Sequence, residues 1–150
     1  VCSSDLNCME VKAVKKKGAI VADDDLAVYC PDLAEWARTW CYEDRDEPPG
    51  QQIVECFKPF LRHLNNSGLT RKTRHKHRDN LWRLGGELIR KLWETPSLRK
   101  RPIADWVAST IDDCGGPLLS HYPSEEEQRS FDSTCRKFHS FLKTRQPPPR

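Results

Sequence analysis

With 150 residues, 37% of them hydrophobic and 31% charged, the chain is long enough for one domain with a modest core, and much of it must face water. No run approaches the ~18 to 20 apolar residues of a membrane helix and none resembles a signal peptide, so no membrane partner and a cytoplasmic location are expected. The net charge of +3 hides a polarised chain: from Val21 to Gly50 nine acidic residues face two arginines, whereas from Leu69 to Arg101 eleven Lys or Arg face three acids.

The opening VCSSDL has neither a helical nor a strand period. Its reverse translation, GTG TGC TCT TCC GAT CT, coincides with the 3′ end of a common short-read sequencing adapter. Residues 1–6 are therefore expected to be a library scar, with Met9 as the native start. Residues 7–50 read as an acidic N-terminal arm with one short helix. Up to Tyr29 the arm, which contains VKAVKKKGAIVADDDLAVY, is expected to be mostly irregular with one candidate strand. Pro31 suits a first helical turn, and Leu33, Trp36, Ala37 and Trp40 recur at helical spacing until YEDRDEPPG closes the helix.

From Gln51 to Leu64 the spacing of Ile53, Phe57, Phe60, Leu61 and Leu64 predicts a second helix, stopped by NNSG. Pro59 inside it removes one backbone hydrogen bond and either bends the helix or marks its start. The longest segment follows, capped by Thr70, with Thr73, His77, Leu81, Leu84, Leu88 and Leu92 on one stripe. Gly85 and Gly86 each cost about 1 kcal/mol in a helix interior, which points to close approach by a neighbouring helix or to a bend. Pro102 opens a shorter helix with Ile103, Trp106, Val107 and Ile111 inward, stopped by DDCGGP. Ser124 and Glu127 form a capping box before a last helix whose Phe131, Cys135, Phe138, Phe141 and Leu142 share a face; QPPPR ends it. The fold expectation is all-α: a compact bundle of four core helices over 51–143, a short N-terminal helix, and a proline-rich tail at 144–150.

The stretch PFLRHLNNSGLTRKTRHKHRDNLWRL resembles the core-binding, SAM-like domain of tyrosine recombinases and phage integrases. In that family a small-residue turn leads to a Thr and then to a helix with a Thr-x-x-x-Tyr-x-x-x-Leu stripe. Here the stripe reads Thr73, His77, Leu81 and Leu84, with His77 where an aromatic is usual. RPIADWVASTI is similar to the family's short third helix, and EEEQRSFDSTCRKFHSFL to its fourth, which ends in an aromatic and a leucine, here Phe141 and Leu142. The resemblance spans roughly Gln51 to Lys143 and implies a helical clamp on duplex DNA, without the family's catalytic domain. The Gly85-Gly86 pair and the acidic leader depart from its pattern.

The main candidate site is TRKTRHKHR, with Arg71, Lys72, Arg74, Lys76 and Arg78 around His75 and His77. These cations suit phosphate oxygens, and a helix N-terminus itself favours an anion. All five lie off the buried stripe, so the competing reading is an ordinary solvated helix face. Arg99, Lys100 and Arg101 form a second basic knot that could meet the same duplex or could be a charged loop. Arg136, Lys137, Lys143 and Arg145 are weaker candidates.

Other chemistry is sparse. The His-x-x-Arg spacing of His75 and Arg78 occurs in recombinase active sites but stands in the wrong domain and reads as coincidence. His75 and His77 point to different faces, so they do not suit a shared metal. Asp23, Asp24 and Asp25 read as a solvated turn rather than a cation site. The seven cysteines lack C-x-x-C pairs and are expected to be reduced, several of them buried. The five tryptophans should be core, with Trp82 and Trp93 at the edge of the stripe. No phosphate-cradling loop, nucleophile elbow or zinc-protease helix is present, so neither cofactor, metal nor catalysis is expected.

The first expectation is a non-catalytic double-stranded DNA binder in recombination or mobile-element biology, acting alone or with a separate recombinase. Its rivals are an antitoxin-like or adaptor interaction module whose acidic region meets a basic partner, and a fragment of a full recombinase.

Overall fold

A computed structural model describes residues 26–145. Every regular element among them is helical, apart from an isolated bridge between Asp112 and Gly115. Residues 26–29 make one helical turn, and a 3-10 turn at Leu33–Glu35 leads directly into α1, Trp36–Trp40. The irregular segment expected up to Tyr29 is thus corrected over its last four residues. Leu26 and Tyr29 are buried and join the main core, because a single turn suffices to present both on one side. Residues 1–25, with the adapter-like opening and the Asp23 to Asp25 run, lie outside the described residues.

Helix α2, Glu47–Asn65, starts four residues before Gln51. Pro48 and Pro49 fall in its first turn, where the missing N–H groups have no intrahelical partner to lose, so they begin a helix rather than forbid one. Pro59 lies inside the helix and is not its start. The boundary expected between an arm ending at Gly50 and a domain beginning at Gln51 therefore falls within one helix. Packing joins the two sides as well: a Cβ on Gly50 would lie 3.1 Å from that of Ala37, so α1 sits almost directly on the α2 backbone.

A turn through Gly68, whose φ of +81° favours glycine, reverses the chain into α3, Arg71–Glu94. Thr70 caps α3 by accepting from the Thr73 N–H at 3.2 Å. The expected stripe is buried at His77, Leu81, Leu84, Leu88 and Leu92, with Thr73 half-buried at its start. A 3-10 turn at Pro96–Lys100 connects to α4, Ile103–Ser109, which buries Trp106 and Val107. The capping box opens α5, Glu125–Arg145, where the Ser124 N–H donates to Glu127 Oε1 at 2.9 Å and the Glu127 N–H to Ser124 Oγ at 3.1 Å.

The core lies between α2, α3 and α5. Phe60 and Phe138 stack with centroids 4.8 Å apart, and Phe57 meets Phe138 edge-on at 5.6 Å. Helix α5 runs antiparallel to α3: His77 faces Thr134, Asn80 faces Ser130 and Arg83 faces Glu127. That register places the end of α5 beside the start of α3.

Candidate nucleic-acid interface

The basic run opens α3, where unpaired first-turn N–H groups and the helix dipole already favour an anion. The structure divides its side chains into two sets. Arg71, Lys72 and Lys76 are exposed. Arg74, His75 and Arg78 are half-buried against the N-terminal turn. Arg74 Nη1 donates to Asn65 Oδ1 at 2.9 Å, while the Arg74 carbonyl accepts from the Tyr29 hydroxyl. Arg78 Nη1 donates to the Tyr29 carbonyl at 2.9 Å, and its guanidinium stands 5.9 Å from the Tyr29 ring centroid. The Arg78 side chain thus holds Tyr29 and the Arg74 side chain ties α3 to the end of α2, although neither lies on the apolar stripe.

His75 stacks on Tyr29 with centroids 6.3 Å apart. Its pKa lies below the ordinary value, through partial desolvation first and then the charges of Arg78 and Arg71. At neutral pH it therefore offers a hydrogen-bonding ring rather than a cation. His77 points into the core, where its Nδ1 lies 2.6 Å from Thr134 Oγ1. The two histidines diverge.

The second basic knot is placed elsewhere. The 24 residues of α3 span about 36 Å at the helical rise, and Arg99 to Arg101 follow its far end. The loop and the start of α3 thus sit at opposite ends of the longest helix. Arg99 is also engaged. Its Nη2 pairs with Asp46, which is wholly buried, and its Nη1 donates to the Arg45 carbonyl at 3.2 Å. Burial alone would raise the Asp46 carboxyl; the Arg99 hydrogen bond and the N–H groups of Tyr42 and Glu43 outweigh it and hold its pKa below the ordinary range. Lys100 and Arg101 are exposed, at the end that also carries Glu43 and Asp44.

What does join the start of α3 is the last two and a half turns of α5. Lys137 is close enough to His77 for its charge to depress the imidazole pKa. Phe141 packs on His63 with centroids 4.9 Å apart, and Arg145 lies over the Phe141 ring at 5.3 Å. Lys137, Lys143 and Arg145 are exposed, at the same end of the bundle as the exposed Arg71, Lys72 and Lys76. No acidic residue occurs from 56 to 78 or from 133 to 145, so three helix ends bring cations together with little opposing charge. The α5 cations also offset the negative end of that helix, which is their plainer role. Along the sequence they rank low because nothing local shows which helix end α5 reaches.

Elsewhere the chemistry is quiet. Burial pushes the Cys30 and Cys135 thiols up to about 12, so both stay protonated and inert. Asp112, Asp113 and Cys114 bring three ligand atoms within 4.8 Å of one another, but all are exposed, and Asp112 Oδ1 already accepts from the N–H groups of Cys114 and Gly115. Among the described residues no helix is long and apolar enough to cross a membrane. No family model, curated protein or solved structure matches the chain.

Proposed function

We propose that the chain is a non-catalytic module that grips duplex DNA through its phosphate backbone, using the end of the bundle where α3 begins and α5 finishes. The observation that carries this reading is that the antiparallel register of α3 and α5 brings to one end of the bundle two sets of exposed cations, Arg71, Lys72 and Lys76 at the start of α3 and Lys137, Lys143 and Arg145 towards the end of α5. Exposed Lys and Arg without nearby acids release condensed counterions when they meet phosphate, which favours binding without base contacts. The similarity of 51–143 to the core-binding domain of tyrosine recombinases supports a place in recombination or mobile-element biology, with a separate recombinase as a candidate partner.

The test is titration of a random-sequence duplex with the full chain at several salt concentrations, alongside Arg71→Glu, Lys72→Glu, Lys76→Glu combined. Affinity should fall linearly with salt on logarithmic axes, and the variant should lose about three from the magnitude of the slope. A wild-type chain that does not bind at low salt refutes the reading.

A second reading, a protein-interaction module, is favoured by one feature at the opposite end. Tyr42 and Trp93, 56% and 53% exposed, pack against each other with centroids 5.5 Å apart beside Glu43 and Asp44. Exposed aromatics on a surface of mixed charge, with Glu43 paired to Arg45 and with Lys100 and Arg101 at the same end, suit a partner protein. Alanine at both positions should leave duplex affinity unchanged and abolish capture of such a partner.

A further inference from the structure

Two adjacent glycines stand in the middle of α3, and packing requires only one of them. A Cβ on Gly85 would fall 2.1 Å from Cζ2 of Trp40, so the indole reaches its place only over glycine. A Cβ on Gly86 would meet Trp40 Cδ1 at 3.6 Å and Nε1 at 4.0 Å, which is ordinary contact. Alanine fits there and is the better helix former. Glycine at 86 places no side chain over the edge of Trp40 that carries its N–H, an edge the surrounding atoms still bury.

That N–H is a buried donor without a protein acceptor: Trp40 is 5% exposed and its Nε1 is unpartnered. A buried polar group left in this way is costly, so an acceptor supplied from outside would bind with a gain. Trp40 and Gly86 both line a cavity of about 380 Å³ between α1, the middle of α3 and the segment leading into α5. Such a volume lies within the range of small-molecule sites.

The walls define the occupant. Trp82, Leu119 and Pro123 supply apolar surface, and the N–H of Trp82 is already used, donating to Thr39 Oγ1 at 3.0 Å. The ionic groups are paired among themselves. Glu87 accepts from Arg90 on one oxygen and from the N–H and hydroxyl of Ser120 on the other, and Arg83 faces Glu127 at 3.9 Å. Two carboxylates against two guanidinium groups leave no net charge to recruit an ion.

We propose that this cavity binds an uncharged planar heteroaromatic molecule whose ring nitrogen or carbonyl oxygen accepts the N–H of Trp40. The site lies two turns along α3 from Arg78, so it stands or falls independently of the DNA reading. Quinoline and quinazolin-4(3H)-one serve as probes, and naphthalene as the same shape without an acceptor. Each is titrated into the full chain at pH 7 while the indole N–H resonances are followed by NMR. Either heteroaromatic should shift the Trp40 N–H downfield and slow its exchange with solvent, and should bind at least about tenfold tighter than naphthalene, the factor expected of one added hydrogen bond. Gly86→Ala should weaken probe binding at least about tenfold without lowering the melting temperature. Failure of both heteroaromatics at millimolar concentration overturns the proposal, as do naphthalene binding equally well or a folded Gly86→Ala chain that binds like the wild type. Even if the variant folds poorly, the three probes compared on the unaltered chain decide between binding through the Trp40 N–H and its absence.

Discussion

Gly85 and His77 show how much of the fold rests on single atoms. The sequence puts a glycine pair where a helix gains nothing from it, and the structure assigns the first of the pair to the Trp40 ring. Gly85→Ala must displace a buried indole from a filled core, which costs about 3 kcal/mol or more. Gly86→Ala should instead stabilise by up to about 1 kcal/mol. Urea unfolding of the two variants checks both, and equal effects would contradict the assignment.

His77 carries a second prediction. The Asn80 amide donates to Thr134 Oγ1 at 2.9 Å, and Nδ1 of the buried His77 lies 2.6 Å from the same oxygen. Burial first, and then the charges of Lys76 and Lys137, bring the imidazole down from 6.5 to about 4. The unfolded chain therefore takes up a proton near pH 6.5, and the folded chain only near pH 4. Stability from this group is whole above pH 6.5 and is lost as the pH falls towards 4, by on the order of 2–3 kcal/mol. Denaturant midpoints measured from pH 7 to 4 should show that loss, and His77→Gln should lack it.

At the scale of elements, the two ends of α3 are fastened by side chains from distant parts of the chain. Tyr29 ties the first helical turn to its start, and Asp46 ties the segment before α2 to the turn after its end through Arg99. In the sequence Arg99 belongs to a basic knot and Asp46 to an acidic loop, and both read as solvated. Only their meeting, 53 residues apart, makes one of them wholly buried. Removing one partner leaves an uncompensated buried charge. Arg99→Ala should cost about 3 kcal/mol in thermal or denaturant unfolding, and the folded fraction should bind duplex DNA as before. Lys100→Ala, a change on the surface, should stay within about 0.5 kcal/mol of the wild type.

For the whole molecule, the antiparallel path of α5 decides where charge accumulates. Its acidic first turn, Glu125 to Glu127, faces the middle of α3 near Arg83, and its basic last turns reach the basic start of α3. The polarity visible along the chain thus becomes a polarity in space, with a different membership: Lys137, Lys143 and Arg145 enter the basic end, and Arg99 to Arg101 leave it. Lys137→Glu with Lys143→Glu should flatten the salt dependence of duplex binding by about two in slope. Lys100→Glu with Arg101→Glu should leave the slope unchanged. Fluorescence anisotropy over a salt series separates these outcomes, and the reverse pattern would move the interface to the other end of the bundle.

The sequence by itself determined the helical class, the stripe from His77 to Leu92, the Thr70 cap, the capping box of Ser124 and Glu127, and the demand for a close approach or a bend at the Gly85-Gly86 pair. Each of these is written within a few residues, because helical period, caps and glycine costs act over one or two turns. Tertiary structure alone decided that Leu26 and Tyr29 belong to the core, that α2 runs through Gly50, that Arg74, Arg78 and Arg99 hold the fold together, and which helix ends share the basic surface. Those outcomes depend on which face of one helix meets another 45 to 57 residues away. A charged side chain carries the same local signal whether it ends in water or on a buried partner, so the difference appears only when the helices pack.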